Sequence, residues 1–366
     1  MITHALTDRL WNCISDEYSE MMHQCLSNNQ LYSGPFCNKI ENRIADLTQR
    51  KYCVFTNSGT SAILLSLIIH GVSPGDEVIC PNVAYPACCN QIALLGAVPV
   101  FVDVDMHGHI DVDQIESKIT NKTKGILPVG LYGENFDYYP LQKIAKKYNL
   151  FIVEDSAQSY DTEYDNIRAG KLGDTSILSF TRNKPAMTPF GGGALVTDNK
   201  EYAARARTIA NHGKESRNTG ISTLGINAQA KEDRAIAVNI ALDHLASWNK
   251  KRQQIAEFYN NVCMQNGIEP RKKRINSTNN GHKFLFFVQD PDKEVARFAK
   301  FNIRADRYYT DSYEHTFFGK NKNPMPNSKK FTNHGLVVST DPFLSDIEVE
   351  KVTDLLGDCA PMHNQT

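Results

Sequence analysis

The 366-residue chain is 41% hydrophobic and 22% charged, with a formal net charge of -1, the profile of a soluble globular protein long enough for two domains. A charge so close to neutral gives no global attraction to nucleic acid or an anionic membrane, so any anion has to be bound in a specific pocket. Most of the nine scattered cysteines, which lack CxxC spacing, read as reduced core thiols, and the amphipathic start MITHALTDRLWNC carries neither a secretory signal nor a membrane span, which points to the cytoplasm.

Leu10, Trp11, Ile14, Tyr18, Met21, Met22 and Cys25 recur with a helical period until NNQLYSG breaks it, and PFCNKIENRIADLTQR sets Phe36, Ile40, Ile44 and Leu47 on one face of a second helix. Both read as packing helices. KYCVFTNSGTSAILLSLIIHG follows as a short strand, a polar turn at Asn57 to Thr60 and an apolar helix. That turn offers backbone N–H groups and hydroxyls at the positive end of a helix, which suits a phosphate; the same residues also read as an ordinary Ser/Thr cap.

Strands and helices keep alternating through DEVICPNVAYPACCNQIALLGAVPVFVDVD and TKGILPVGLYGENFDYYPLQKIAKKYNLFIVED. Their Val and Ile runs do not alternate with polar residues, which predicts a mostly parallel sheet covered on both faces. Tyr85, just beyond one such strand, either offers its ring to a ligand or serves as a core or turn tyrosine.

Asp155 closes the apolar run FIVED, and Lys184 follows the apolar run TSILSF. Strand ends face the ligand crevice in α/β proteins, so these two residues are expected to share one pocket. Pro185 biases Lys184 away from a helix, and the glycines of FGGGALVTD allow backbone to approach closely. No dinucleotide fingerprint and no GxxxxGK[ST] occurs.

Residues 227 to 261 predict a long helix leading to a second domain, in which KFLFFVQ and GLVVST read as strands, PDKEVARFAKFN and SDIEVEKVTDLL as helices. FFGKNKNPMPNSKKFTNHG reads as a mobile loop, and PRKKR at 270 to 274 as a solvated turn in preference to a nucleic-acid site.

A lysine amine in a pocket forms a Schiff base with a carbonyl, and a carboxylate opposite it keeps a pyridine nitrogen protonated. Those are two requirements of pyridoxal phosphate. With the ring as electron sink, a freed Lys184 is placed to move the substrate's proton. The remaining requirements find candidates in Gly59, Thr60 and Ser179 for the phosphate, Tyr85 for the ring face, and Gln158, one turn past Asp155, for the ring edge.

In this order NSGTSA, PGDEVICPNVAYPA, GAVPVFVDVD, PVGLYG, VEDSAQS, GKLGDTSILSFTRNK and GGALVTD resemble the successive motifs of the DegT/DnrJ/EryC1/StrS sugar aminotransferases. The resemblance covers most of residues 30 to 265, and GLVVSTDPFLSDIEVEKV is similar to the family's closing segment. It implies an α/β, fold-type I pyridoxal phosphate-dependent transferase, with a mostly parallel seven-stranded sheet flanked by helices. The large cofactor-binding domain, with its N-terminal helices, would span 1–240, and a smaller C-terminal α+β domain 241–366.

The same resemblance implies that Lys184 forms the imine with pyridoxal 5'-phosphate and that Asp155 binds the pyridine nitrogen. Gln158 would lie near the ring, Ser58, Gly59, Thr60 and Ser179 would hold the phosphate, and Tyr85 would stack on the cofactor. Asn227, within LGIN, matches an asparagine that reaches the phosphate of the neighbouring subunit's cofactor, which implies a homodimer with shared active sites. The implied reaction moves an amino group from L-glutamate to a nucleotide-linked keto-sugar in amino sugar biosynthesis, by way of pyridoxamine 5'-phosphate and without a metal.

Two alternatives stand beside this reading. One is a sugar dehydratase of the same family that uses the pyridoxamine cofactor; in those relatives a histidine takes the lysine's place. The other is a non-catalytic regulatory protein that kept the fold. Lys184 together with Asp155 favours transamination. The chain departs from the family at Gly130, where a histidine is common, at Gln229, where an arginine often stands, and at FGGG, which replaces an acidic GEGG; DTEYDNIRAG also lacks the family's small residues. These positions bear on the sugar's orientation and phosphate contacts. The aromatic and amide residues of 305 to 335 are candidates to contact the sugar.

Overall fold

Strands and helices alternate in the computed structural model, which describes residues 1–32, 34–216, 218–309 and 325–362. In chain order come α1 (Thr7–Ser27), α2 (Pro35–Leu47), β1 (Tyr52–Thr56), α3 (Gly59–Ile69), β2 (Glu77–Pro81), α4 (Ala87–Leu94), β3 (Val98–Val102), β4 (Thr123–Ile126), α5 (Tyr138–Tyr148) and β5 (Phe151–Asp155). A small hairpin of β6 (Glu163–Tyr164) and β7 (Ile167–Arg168) precedes β8 (Thr175–Ser179), β9 (Gly193–Thr197) and α6 (Lys200–Ala210). The 34-residue α7 (Glu232–Gln265) then leads to β10 (Glu269–Pro270), β11 (Phe284–Phe287), α8 (Pro291–Lys300), α9 (Pro326–His334), β12 (Gly335–Val338) and α10 (Asp346–Gly357).

The large sheet has seven strands in the order β1-β9-β8-β5-β4-β2-β3. β3, β2, β4, β5 and β8 run parallel, and β9 is antiparallel to both of its neighbours. The C-terminal ends of β1, β5 and β8 and the start of β9 therefore lie on one rim. That rim is where open α/β sheets bind ligands.

Burial explains this arrangement. Ala62, Leu65, Leu67 and Ile69 of α3 are enclosed, so the helix is apolar all round and packs under the sheet. Each such leucine or isoleucine contributes roughly 1.5–3 kcal/mol on leaving water. On the other face, Leu10, Ile14, Ile40 and Ile44 of the two N-terminal helices join Ile236, Ile240 and Leu245 of α7 in one apolar cluster. The far end of α7 contributes Ile255, Tyr259 and Cys263 to a second cluster with Phe284 and Phe286 of the three-stranded sheet β10-β11-β12. One helix thus ties both cores together. Among the described residues no helix is long and apolar enough to cross a membrane.

Two expectations are corrected. The stretch read as a mobile loop is helical from Pro326 to His334, with Pro at the first helical position, while 317–324 lie outside the described residues. PRKKR is solvated at Lys272 and Lys273 but not at its two arginines. Arg271 donates to the buried Glu134 at 2.7 Å, and Arg274 pairs with Asp105 and, at 3.5 Å, with Asp137. The carboxylates that desolvate these arginines lie far away in sequence, so local composition hides them.

Candidate active site

Asp155 and Glu154 leave β5 on opposite faces because side chains alternate along a strand. Glu154 is buried and accepts the N–H groups of Gly170 and Leu172, each at 2.8 Å, which pins the segment between β5 and β8 and fixes the end of β5. Asp155 points the other way, into a cavity of about 250 Å³ at the rim. One of its oxygens accepts from the Ala157 N–H at 2.9 Å and the other from the Cys88 thiol at 3.2 Å. Burial raises its pKa; the Ala157 N–H, the Lys184 ammonium and the thiol oppose that.

Lys184 sits in a turn after β8, its N–H bonded to the Thr181 carbonyl, and its amine reaches the same cavity 5.9 Å from the centre of the half-exposed Tyr85 ring. Burial lowers its pKa, and Asp155 pulls it back up. A carboxylate and an amine therefore face one another, each destabilised as a lone charge. Ile63, Val129 and Ile177 supply an apolar floor beside them.

The turn between β1 and α3 is built as an anion cradle. Ser58 is the N-cap, and its hydroxyl accepts the Ser61 N–H at 3.1 Å. The N–H groups of Gly59 and Thr60 sit in the first turn, where no carbonyl a turn earlier can accept them, at the positive end of the helix. Gly193 lies against this turn so closely that a Cβ there would be 2.2 Å from the Ser58 carbonyl carbon and 2.3 Å from the Gly59 nitrogen. Ser179 closes the other side, its Cβ 2.9 Å from the place a Gly59 Cβ would occupy. The cradle thus needs glycine at 59 and 193.

Eight of the nine residues singled out from the sequence line this cavity: Ser58, Gly59, Thr60, Tyr85, Asp155, Gln158, Ser179 and Lys184. Gln158 lies in a turn, not on a helix; it accepts the Tyr132 N–H at 3.3 Å and donates to the Tyr309 hydroxyl at 3.4 Å. Asn227 is apart from the cavity and exposed, its carbonyl accepting from the Asn57 side chain at 3.1 Å. Gly130 stands where a side chain would strike the Ser159 hydroxyl at 2.2 Å, so the departure at this position is matched by its neighbour.

Cys88 and Asn183 escape the sequence reading. Cys88 reads as a core thiol, although its place one turn after Tyr85 puts it under the rim. Asn183 lines the cavity, as does Tyr308, one of the aromatic residues of 305 to 335. The 305 to 335 stretch proposed to contact a sugar is described only at its ends, and 310–324 lie outside the described residues. Lys283, directly before the apolar strand FLFF, is buried and titrates at about 7, lowered first by burial and then by Lys184.

The DegT/DnrJ/EryC1/StrS aminotransferase family model matches residues 12–357. UDP-2-acetamido-2-deoxy-3-oxo-D-glucuronate aminotransferase of Pseudomonas aeruginosa is 35% identical over 256 residues, 70% of this chain and 71% of that protein. S. venezuelae DesV, solved in complex with a ketimine intermediate, superposes with a TM-score of 0.93 at 27% identity over 98% of both chains. NtdA from Bacillus subtilis, solved with bound cofactor PMP, has a TM-score of 0.88 at 28% identity, over 96% of this chain and 83% of that one.

Proposed function

The chain belongs to the DegT/DnrJ/EryC1/StrS aminotransferase family, and from that premise we propose that it moves an amino group from L-glutamate to a keto-sugar carried on a nucleotide diphosphate. One observation carries the reading: an amine and a carboxylate, Lys184 and Asp155, face the same cavity beside an anion cradle. Pyridoxal 5'-phosphate is the cofactor of this enzyme, and the cavity fits it. The cradle offers unpaired N–H groups for a phosphate, and Asp155 lacks only a cation held in place.

When bound, the cofactor supplies an aldehyde that condenses with amines and a ring that accepts the electron pair left by a departing proton. The chain's residues do the rest. Gly59 and Thr60 donate backbone N–H groups to the phosphate, with the Ser58 and Ser179 hydroxyls beside them. Asp155 holds the proton on the ring nitrogen. Tyr85 covers the ring face and Gln158 fixes its edge. Lys184 would hold the aldehyde carbon, and its amine, whose pKa burial lowers, would move the proton at the reacting carbon. A dehydratase needs no such lysine, so Lys184 favours transamination. The nucleotide-sugar reading is supported by relatives named for UDP- and dTDP-linked sugars. A panel of UDP-, dTDP- and GDP-linked keto-sugars with L-glutamate is expected to include one that releases 2-oxoglutarate in step with an amino sugar. Loss of the sugar's hydroxyl without gain of nitrogen would overturn the reading.

The working unit in this proposal is a homodimer in which Asn227 reaches the phosphate in the partner's cavity. Its exposure, and that of Ile221 and Leu224 on the same segment, supports a face that a second copy covers. Mixed dimers of Lys184→Ala and Asn227→Ala chains would hold one site with both residues intact. They are expected to recover wild-type cofactor affinity at half the sites. A demonstrated mixed dimer without recovery contradicts shared sites.

A further inference from the structure

Behind the catalytic cavity lies a second, much smaller one of about 20 Å³, lined by polar side chains that include Lys283, His282, Arg252 and Asp341. Asn183 lines both. Lys283 is only 8% exposed, and among the described residues its ammonium has no carboxylate or carbonyl partner; it lies over the face of Tyr308, 4.0 Å from the ring centre. Tyr308 in turn lines the catalytic cavity.

The neighbouring anions are already engaged. Asp306 pairs with His4 at 3.2 Å and Arg304 at 2.9 Å. Asp341 accepts the N–H groups of Leu6 at 3.1 Å and Phe343 at 2.9 Å. Arg252 is likewise used up, on the Pro185 carbonyl at 3.0 Å and Asn249 at 2.8 Å. His282 remains, with its buried Nε2 lacking a partner. A buried amine without a carboxylate partner, beside a buried, unpaired imidazole nitrogen and one side chain away from the reacting centre, is a place for an anion.

Resting on the function proposed above, we infer that Lys283, with His282, receives the carboxylate of a substrate during the reaction, and so helps to select it. Size and shape bear on which anion it is. The small cavity has room for about one water-sized atom group. A planar carboxylate can set one oxygen there, and phosphate already has a separate cradle at Gly59 and Thr60. The carboxylate comes either from the amino-acid donor or from a sugar acid.

Calorimetry on the cofactor-loaded enzyme separates these cases, using glutarate, which has the donor's two carboxylates but no amine to react, and D-glucuronate. Lys283→Met is expected to weaken glutarate binding by at least about tenfold, as loss of a charge-assisted hydrogen bond does, while Lys283→Arg stays within about threefold of wild type because it keeps the charge. Retained visible absorption of the bound cofactor shows that each variant is folded and loaded; Lys283→Gln replaces the methionine variant if that one fails to accumulate. Weakening confined to glucuronate keeps the carboxylate subsite and assigns it to the sugar. Binding of both probes unchanged by Lys283→Met, or absent in the wild type, overturns the inference. Lys283-dependent binding in a protein that aminates no keto-sugar would sink the proposed function alone.

Discussion

Lys184→Ala protein is expected to purify without the visible absorption of the cofactor-loaded wild type and to lose transamination by at least about 10³-fold. In the proposed reaction one amine is used twice, first to fix the aldehyde carbon and then to carry the proton. The substitution takes the cation away from the buried Asp155 but leaves the hydrogen bonds of the fold in place. The Lys184 side chain makes no hydrogen bond among the described residues, and the backbone contacts of this turn, from its own N–H to Thr181 and from Arg252 to its carbonyl, survive the change. Circular dichroism should therefore match the wild type. An exposed lysine without a catalytic role would change stability by no more than about 0.5 kcal/mol and leave both colour and turnover intact, so the experiment separates the two cases cleanly.

Asp155→Asn should fold and bind the cofactor more weakly, by about 10- to 100-fold, with kcat lowered by about 10²- to 10⁴-fold. Asparagine keeps an oxygen for the Ala157 N–H but carries no negative charge to hold a proton on the ring nitrogen. Without that proton the ring is a poor electron sink. The Cys88 thiol gives an internal control, since it donates to the second Asp155 oxygen and would face an amide in the variant. Equilibrium titration with pyridoxal 5'-phosphate, read by absorption, measures the first effect, and steady-state turnover measures the second. Wild-type values for both would remove Asp155 from the ring nitrogen and with it the reason for placing the cofactor in this orientation.

Local chemistry made much of the site readable in advance. Asp155 and Lys184 announced themselves through apolar runs that end in a charge, a pattern that a strand opening on a crevice produces. The Ser58 to Thr60 turn was readable because helix caps follow from sequence. What remained hidden depends on partners distant in the chain. PRKKR looks solvated until Glu134, Asp105 and Asp137 are folded against it. Cys88 looks like any core thiol until the end of β5 is laid beside α4. Lys283 precedes an apolar strand and reads as its polar flank, yet the fold buries it beside Tyr308 and within reach of the charge on Lys184. Pro326 to His334 is rich in Asn and Lys and weak in helix propensity, and its helix rests on packing: Phe331 is buried, and Asp103 accepts the Ser328 N–H at 2.7 Å.

Incubating the enzyme with L-glutamate labelled with heavy nitrogen, together with the keto-sugar nucleotide that performs best in the panel, and weighing the sugar product by mass spectrometry tests the central claim most directly. Transamination through Lys184 predicts an amino sugar carrying the heavy nitrogen, formed one for one with 2-oxoglutarate and abolished by Lys184→Ala. A product that has lost a hydroxyl and gained no nitrogen, or a sugar returned unchanged by a fully loaded enzyme across the panel, would contradict it.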